Sequence, residues 1–511
     1  MRTIVVGAGS AGSVIASRLT EDGDHEVLLV EAGPDYPEAA ERSEVLPRPL
    51  RDGRKNAHYG HDWGYAYRAT DHRFWSAVAM GFPRGRVVGG SSAVNTCIAL
   101  RGQPYDYDEW ADLGLREWSW DQCLPAFKRL ENDLDFDNEW HGREGPIPIR
   151  RHPAEELVPW QAAFLEACAE VGFPKSNDSN DPTTSGAGPH AMNKIGGERI
   201  SAARGYLNAK VRARPNLRIM PNTSVRRVRV RNGRVQGLEV ERFGRVFEIP
   251  GDRVVLSAGA IATPGILLRS GIGPAADVAR IGVELVADVP GVGARLLDHP
   301  GVAIFFSPHA SGMVRTDHPL IQTHCRYGST GGMGPNDMQL QPGSFVPLPG
   351  ISLTLCTIVA VVGKARSRGR IRFETARVAD GPILSSNLLD DEADVAAIRE
   401  GLRWISRLAR TKTITALASP IYPKRKPFDD EGNLRGPVQQ ITGSGYHPCG
   451  TVPMGTDDDP EAATDGRGRV RGVRGLVVAD ASLMPTIPSS NTNLPSLMIG
   501  ERFGEWLRTS D

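Results

Sequence analysis

The sequence predicts a mixed α/β fold, α/β with α+β character, in which a domain of alternating strands and helices is interrupted by an inserted lobe. Three observations predict it. Residues 2–31 read as strand, glycine turn, helix and strand. Short β-branched runs at 217–255 and 350–388, together with amphipathic helical stretches, form a mixed middle region. Glycine-rich loops then return in the last quarter of the chain, so the first domain is discontinuous. With 511 residues, 40% of them hydrophobic, the chain can bury a large core and form two or more lobes.

The first 33 residues carry the most specific signal. Arg2 to Val6 reads as a buried strand, Gly7-Ala8-Gly9-Ser10-Ala11-Gly12 as a tight turn, and Ser13 to Leu19 as a helix. A second strand, Glu26 to Val30, ends at Glu31 and Ala32. This is G-x-G-x-x-G in a Rossmann-like setting, with an acid about 20 residues past the turn, and it predicts a site for an ADP-containing cofactor. Gly7 permits the turn, Gly9 lets backbone approach a pyrophosphate, and Gly12 lets the helix pack on the strand. The helix start at Ser10 and Ala11 supplies amide donors. Glu31 can accept from ribose hydroxyls. The competing reading, a glycine-rich structural loop, leaves Glu31 without a role.

Further along, residues 34–75 are rich in Pro, Asp, Arg and His and predict an extended surface excursion. Residues 120–133 and 154–172 predict amphipathic helices, and Ser176 to Gly188 a loop. Arg231-Asn232-Gly233 is a hairpin signal. A helix is expected from about Asp391 to Arg410. The alternating arginines of Arg226 to Arg234 read as a strand with one solvated face.

Lys+Arg and Asp+Glu are both 60, so no net charge draws the chain to nucleic acid or an anionic membrane. The six cysteines are scattered with no C-x-x-C pair, which argues against a disulfide framework and against a metal site. No apolar run reaches the length that spans a bilayer, and Met1-Arg2 leads straight into a strand. A cytoplasmic protein without an integral membrane segment is expected, with peripheral association open if it feeds a respiratory chain.

Two more segments matter. Gly85-Arg86-Val87-Val88-Gly89-Gly90-Ser91-Ser92-Ala93-Val94-Asn95 offers bare amides and small hydroxyls, suited to a flat polar ring or a phosphate. Gly259 to Gly273 follows a strand at Arg253 to Leu256 and reads as turn, helix and glycine stop. Together with Asp62-Trp63, Pro290 to Gly293, Asp298-His299-Pro300, His447 to Thr451, and Val478 to Ser482 leading into Asn491-Thr492-Asn493, these segments resemble the glucose–methanol–choline (GMC) oxidoreductases. The resemblance spans residues 3 to about 505.

The resemblance implies FAD rather than NAD, with its flavin ring against Gly89, Gly90, Ser91 and Asn95, and Asp480 and Ala481 near the ribityl and phosphate portion. It places Val225 at the adenine and Asn491 and Thr492 beside the cofactor. Some members tether the flavin through a histidine where this chain has Val94, so FAD is expected to be noncovalent. It implies a Rossmann-like FAD-binding domain from residues 1–155, 195–300 and 435–511. A substrate-binding lobe, an antiparallel sheet with helices, would take 156–194 and 301–434.

His447 and Asn491, 44 residues apart, match the family's catalytic pair. Alcohol oxidation removes a hydroxyl proton and a carbon-bound hydride; the flavin takes the hydride and a neutral imidazole suits the proton. The side-chain amide of Asn491 can donate to the developing alkoxide. The family also uses histidine at that position, so asparagine leaves His447 as the base. His299 is expected to be structural and away from the flavin's reactive face. Arg295, where members often carry asparagine, is expected in the connector between lobes without a catalytic role. Trp63, Tyr65, Phe305, Phe306 and Tyr446 are expected to be core residues.

The substrate expected is a small-molecule alcohol, a primary one by resemblance. The acceptor is dioxygen, a quinone or another redox carrier. The composition is also similar to actinobacterial members, including GMC dehydrogenases associated with the redox peptide mycofactocin, which would make the donor a reduced peptide cofactor. Two other classes compete. An NAD(P)-dependent dehydrogenase would leave the Gly89–Asn95 loop and the His447/Asn491 pair idle, and a non-redox lyase on the same scaffold would not bleach its flavin with alcohol.

Overall fold

The computed structural model describes residues 2–57, 60–70, 79–310, 312–348, 351–422, 438–439 and 441–509. Five parallel strands form the first sheet, in the order Leu217–Met220, Glu26–Val30, Arg2–Val6, Arg253–Leu256, Leu476–Val478. Four of the five residues in each of the two N-terminal strands are buried, as continuous apolar runs sandwiched by helices require. Val6 stands level with Val30 and Leu256, and Leu256 with Val478. The residues after them, Gly7, Glu31, Ser257 and Ala479, therefore gather at one edge of the sheet, where ligands of open α/β sheets bind.

Two helices pack side by side across this sheet, Ser10–Leu19 and Asn493–Thr509. Their backbones approach closely because Gly500 and Gly504 face the first helix. A Cβ on Gly500 would lie 2.7 Å from Val14 Cβ, and one on Gly504 2.6 Å from Arg18 Cβ. Arg18 and Tyr206 both bond the buried Glu501 carboxylate, at 2.8 and 2.5 Å. The predicted hairpin joins Thr223–Arg231 to Arg234–Arg242, with Asn232 and Gly233 both at positive φ (52° and 67°), as a tight two-residue turn demands. Its arginines face solvent as expected; Arg227 pairs with Glu239 and Arg229 with Glu248.

The second sheet is antiparallel, ordered Ala418–Tyr422, Pro300–Pro308, Cys356–Val362, Met338–Gly343, Thr323–Tyr327, Gly186–Pro189. One face carries Ile304, Phe306, Leu340 and Ile358, packed under helices Pro159–Glu170 and Glu392–Leu408 through Trp160, Phe164, Ile398 and Leu402. Each such side chain contributes about 1.5–3 kcal/mol of burial. The other face looks onto the cavity described below.

Some element boundaries differ from expectation. The helix Trp120–Leu130 stops early, and Glu131–Asp133 forms a strand with Ile147–Ile149. Glu131 and Asp133 are both fully buried in ion pairs; a strand aims residues two apart to one side, whereas a helix would turn them about 200° from each other. The predicted 154–172 helix begins only at Pro159, after a turn at Ala154–Glu156, because proline suits a first helical position. The 176–188 loop ends in strand Gly186–Pro189. The 34–75 excursion contains two short turns, a four-residue helix Arg48–Arg51 and a strand Ala66–Arg68, while residues 58–59 and 71–75 lie outside the described residues. Residues 423–434 of the expected lobe also lie outside them.

Candidate active site

A continuous cavity of about 620 Å³ runs from Glu31 and Val225, along the glycine turn, to His447, Asn491 and the antiparallel sheet. Of the residues expected to hold the cofactor, Gly7, Gly9, Ser10, Ala11, Glu31, Ala32, Gly90, Ser91, Asn95, Val225, Asp480, Ala481, Asn491 and Thr492 line it. Gly12 and Gly89 do not. Gly12 sits behind the turn, where a Cβ would meet the Gly7 carbonyl oxygen at 1.9 Å. Gly89 joins the two glycine segments instead, donating its N–H to the Ala8 carbonyl at 2.7 Å. Next to it, a Cβ on Gly90 would lie 2.6 Å from Gly9 Cα. The two loops thus touch backbone to backbone.

The donor set fits an ADP-containing group. The helix Ser10–Leu19 has no side-chain cap and no acid in its first turn, leaving its amides and positive dipole end open. A Cβ on Gly9 would meet no protein atom nearer than 3.9 Å. Asn493 accepts from the Ser10 hydroxyl at 2.7 Å, and its buried Nδ2 has no protein partner. Glu31 is fixed by the N–H groups of Ala8 (2.9 Å) and Gly33 (2.8 Å), and burial pushes its carboxyl up to about 7. Asp480 lines the cavity and is also tied into its wall. Its oxygens accept from the Gly259 amide (2.8 Å), the Thr263 hydroxyl (2.7 Å), and the Ser482 amide and hydroxyl (2.8 and 2.6 Å). With four donors on it, this carboxylate braces the cavity wall.

Val94 lines the cavity and offers no nucleophile to the flavin. Acid denaturation is therefore expected to release all the flavin into the supernatant. Colour retained on the precipitated polypeptide would overturn that.

At the far end, four groups form one hydrogen-bonded chain. His299 Nε2 lies 3.0 Å from the Pro488 carbonyl oxygen, His299 Nδ1 lies 2.9 Å from His447 Nδ1, and His447 Nε2 lies 2.8 Å from Asn491 Nδ2. A carbonyl only accepts, so His299 Nε2 carries the hydrogen. Burial holds the His299 imidazole neutral, with its pKa lowered to about 4, so its Nδ1 is an acceptor. His447 must then donate from Nδ1, which leaves the lone pair on Nε2. Asn491 donates to that lone pair. The expectation that His299 is remote is corrected: its ring centroid is 5.0 Å from that of His447, and it lines the same cavity. The Asp298 carboxylate accepts from the backbone N–H of both histidines, at 2.8 and 2.9 Å, and so sets their spacing. Gly445 permits the approach, since a Cβ there would crowd His447 Nδ1 and His299 Cβ at 3.0 Å.

Desolvation, then the neighbouring His299 and Arg84, lower the pKa of His447 well below that of a free imidazole. The Arg84 guanidinium bonds the carbonyls of Pro83 (2.5 Å) and Tyr446 (2.7 Å) and forms no ion pair among the described residues. Arg295 does not line the cavity and pairs with Glu461 at 2.7 Å.

Four of the aromatic residues expected in the core line the cavity: Trp63, Tyr65, Phe305 and Tyr446. Trp63 and Tyr65 are stacked with ring centroids 5.8 Å apart. Only Phe306 is core, because consecutive strand residues face opposite sides. Gln339, Gln341, Val359 and Val361 also line the cavity and escaped sequence reasoning; the alternation in Met338-Gln339-Leu340-Gln341 was the available signal.

The six cysteines are unpaired and buried. Among the described residues one group has metal-ligand spacing: Glu131, Asp133 and His141. Arg101 bonds Glu131 and Arg151 bonds Asp133, while His141 reaches Asp178 at 2.7 Å, so the charges are balanced within the protein. Among the described residues no helix is long and apolar enough to cross a membrane.

A parallel sheet with an anion cradle at its carboxyl edge, and an imidazole at the far end of the same cavity, defines a dinucleotide-dependent oxidoreductase. The chain belongs to the GMC oxidoreductases: the family's N-terminal profile matches residues 1–301 and its C-terminal profile residues 365–500. It is 34% identical over 99% of its length to 5-(hydroxymethyl)furfural oxidase from Methylovorus sp. (strain MP688), covering 98% of that protein. It is 33% identical over 99% of its length to oxygen-dependent choline dehydrogenase 1 from Chromohalobacter salexigens, covering 95% of that protein. The crystal structure of pyridoxine 4-oxidase from Mesorbium loti superimposes with a TM-score of 0.90 at 28% identity, covering 100% of this chain and 99% of that one. The protein is an FAD-dependent oxidoreductase acting on alcohols. The stretch between the two profile matches, 302–364, supplies most of the antiparallel sheet that walls the cavity.

Proposed function

We propose that this enzyme oxidises a primary alcohol to the aldehyde, with His447 as general base and dioxygen as final acceptor. The observation that carries the proposal is the hydrogen-bonded chain from the Pro488 carbonyl through His299 and His447 to Asn491, which fixes the basic lone pair on His447 Nε2. The substrate hydroxyl docks between that nitrogen and the Asn491 amide. Nε2 takes the hydroxyl proton, and the resulting imidazolium donates from both nitrogens, to the substrate oxygen and to His299 Nδ1. The amide of Asn491 donates to the same oxygen, so two donors meet the charge as it develops. FAD, held in the glycine cradle, supplies the acceptor for the carbinol hydride. The lowered pKa keeps the His447 imidazole neutral, and so able to accept a proton, throughout the physiological range.

The names of the relatives, an oxidase acting on a hydroxymethyl group and an oxygen-dependent dehydrogenase, support primary alcohols and dioxygen. The test is anaerobic mixing of the yellow enzyme with benzyl alcohol. The flavin band is expected to bleach, and admission of air to restore it with one hydrogen peroxide per aldehyde. A band unchanged by a panel of primary alcohols would dispose of the reading. Bleaching that only a quinone reverses would remove dioxygen from it.

A further inference from the structure

The cavity wall contributed by the antiparallel sheet changes character across two registers. Ala303 stands beside Val359 and Val359 beside Gln341; one register along, Gly301 stands beside Val361 and Val361 beside Gln339. Apolar groups thus line one half of the wall and amides the other. Among the described residues the Gln341 side chain has no hydrogen-bond partner, and that of Gln339 reaches only His190 Nε2, at 3.4 Å; both line the cavity. An amide without a protein partner in a largely apolar cavity favours a ligand that supplies one.

Charge in the cavity is equally telling. Three carboxylates line it: Glu31, Asp480 and Asp380. Glu31 belongs to the nucleotide end, and Asp480 is saturated by four donors. Asp380 accepts from the Thr375 hydroxyl at 2.7 Å and faces Arg377 at 3.8 Å. None of the three pairs with a group at the base. Beside the base the lining charge is the Arg84 guanidinium, whereas the nearest carboxylate, Asp298, lies behind the wall, held by the N–H groups of both histidines and the Ser444 hydroxyl.

We propose that the substrate is an uncharged alcohol with a flat apolar body, which lies on Val359, Val361 and Ala303, and a second hydroxyl or carbonyl, which Gln341 receives. Alcohols bearing a fixed positive charge, such as choline, are disfavoured, since the wall beside the base presents them a guanidinium while the Asp298 carboxylate behind it is already taken by protein donors. This deepens the alcohol-oxidation reading and rests on it.

The test compares kcat/KM for flavin reduction by 1,4-benzenedimethanol, benzyl alcohol, 4-(hydroxymethyl)benzoate and choline. The diol is expected to exceed benzyl alcohol by about tenfold, the scale of one added hydrogen bond. Choline is expected at least about a hundredfold below benzyl alcohol, since its charge loses water without gaining a counter-ion. In Gln341→Leu the ratio of diol to benzyl alcohol should fall to near one. In Gln341→Glu the ratio of choline to benzyl alcohol should rise by about tenfold, as a carboxylate enters the wall.

A diol preference that survives Gln341→Leu, or choline as the better wild-type substrate, would overturn the inference. A benzoate that outpaces the diol would overturn it too, in favour of an anionic substrate held by Arg84. Failure of every alcohol to bleach the flavin would remove the underlying reading instead, which keeps the two failures distinct.

Discussion

Replacing His447 with alanine is expected to slow alcohol-dependent flavin reduction by at least about a hundredfold while the protein keeps its FAD, the scale of a lost general base. That corresponds to about 2.7 kcal/mol of barrier. Anaerobic rapid mixing reads it directly, because loss of the base touches the reductive step and not the absorbance of the bound flavin. The sign of the pH dependence follows from the environment of the ring. Burial, His299 and Arg84 all lower its pKa. The neutral, competent form persists above that pKa and is lost as pH falls through it. The acid limb of kcat/KM in the wild type should therefore lie below about 6.5, the ordinary value for histidine. Reduction that proceeds unchanged in His447→Ala would remove this imidazole from the mechanism.

Gly90→Ala is expected to give a colourless protein. Its new Cβ would lie 2.6 Å from Gly9 Cα, and Gly90 holds φ at +52°, a region that alanine resists. Relief requires the Gly89–Asn95 segment to lift off the N-terminal turn, which breaks the bond from the Gly89 amide to the Ala8 carbonyl. Both walls of the cradle would shift together. Flavin content after purification, from the ratio of visible to ultraviolet absorbance, measures the effect. Full flavin occupancy in the variant would show that the contact between the loops is dispensable.

Residues whose roles depend on local backbone were readable in the chain. The turn at Gly7–Gly12, the acid at Glu31 and the Asn232-Gly233 hairpin each follow from short-range geometry, and the structure has each where expected. His447 and Asn491 were legible only because the motifs around them resemble a family's, since nothing within either segment forces the two together. His299 was misjudged for a related reason. Its neighbour is 148 residues away, and the contact exists because Asp298 and Gly445 set the spacing. The sheet wall was harder still. Phe305 and Phe306 are chemically identical neighbours, yet one meets the cavity and the other the core, and only the register decides which. The four donors on Asp480 were equally invisible, since two of them come from a segment more than 200 residues away.

The sheet that carries the glycine turn needs Leu476–Val478 as its outer strand, and Ser10 needs Asn493 beside it. Ser10 and Asn493 lie 483 residues apart along the chain. Such wide separations slow folding. A growing polypeptide on the ribosome can shape the glycine turn early, yet it cannot complete the cradle until nearly 500 residues have been made. Nascent fragments that stop before Asn493 lack part of the cradle.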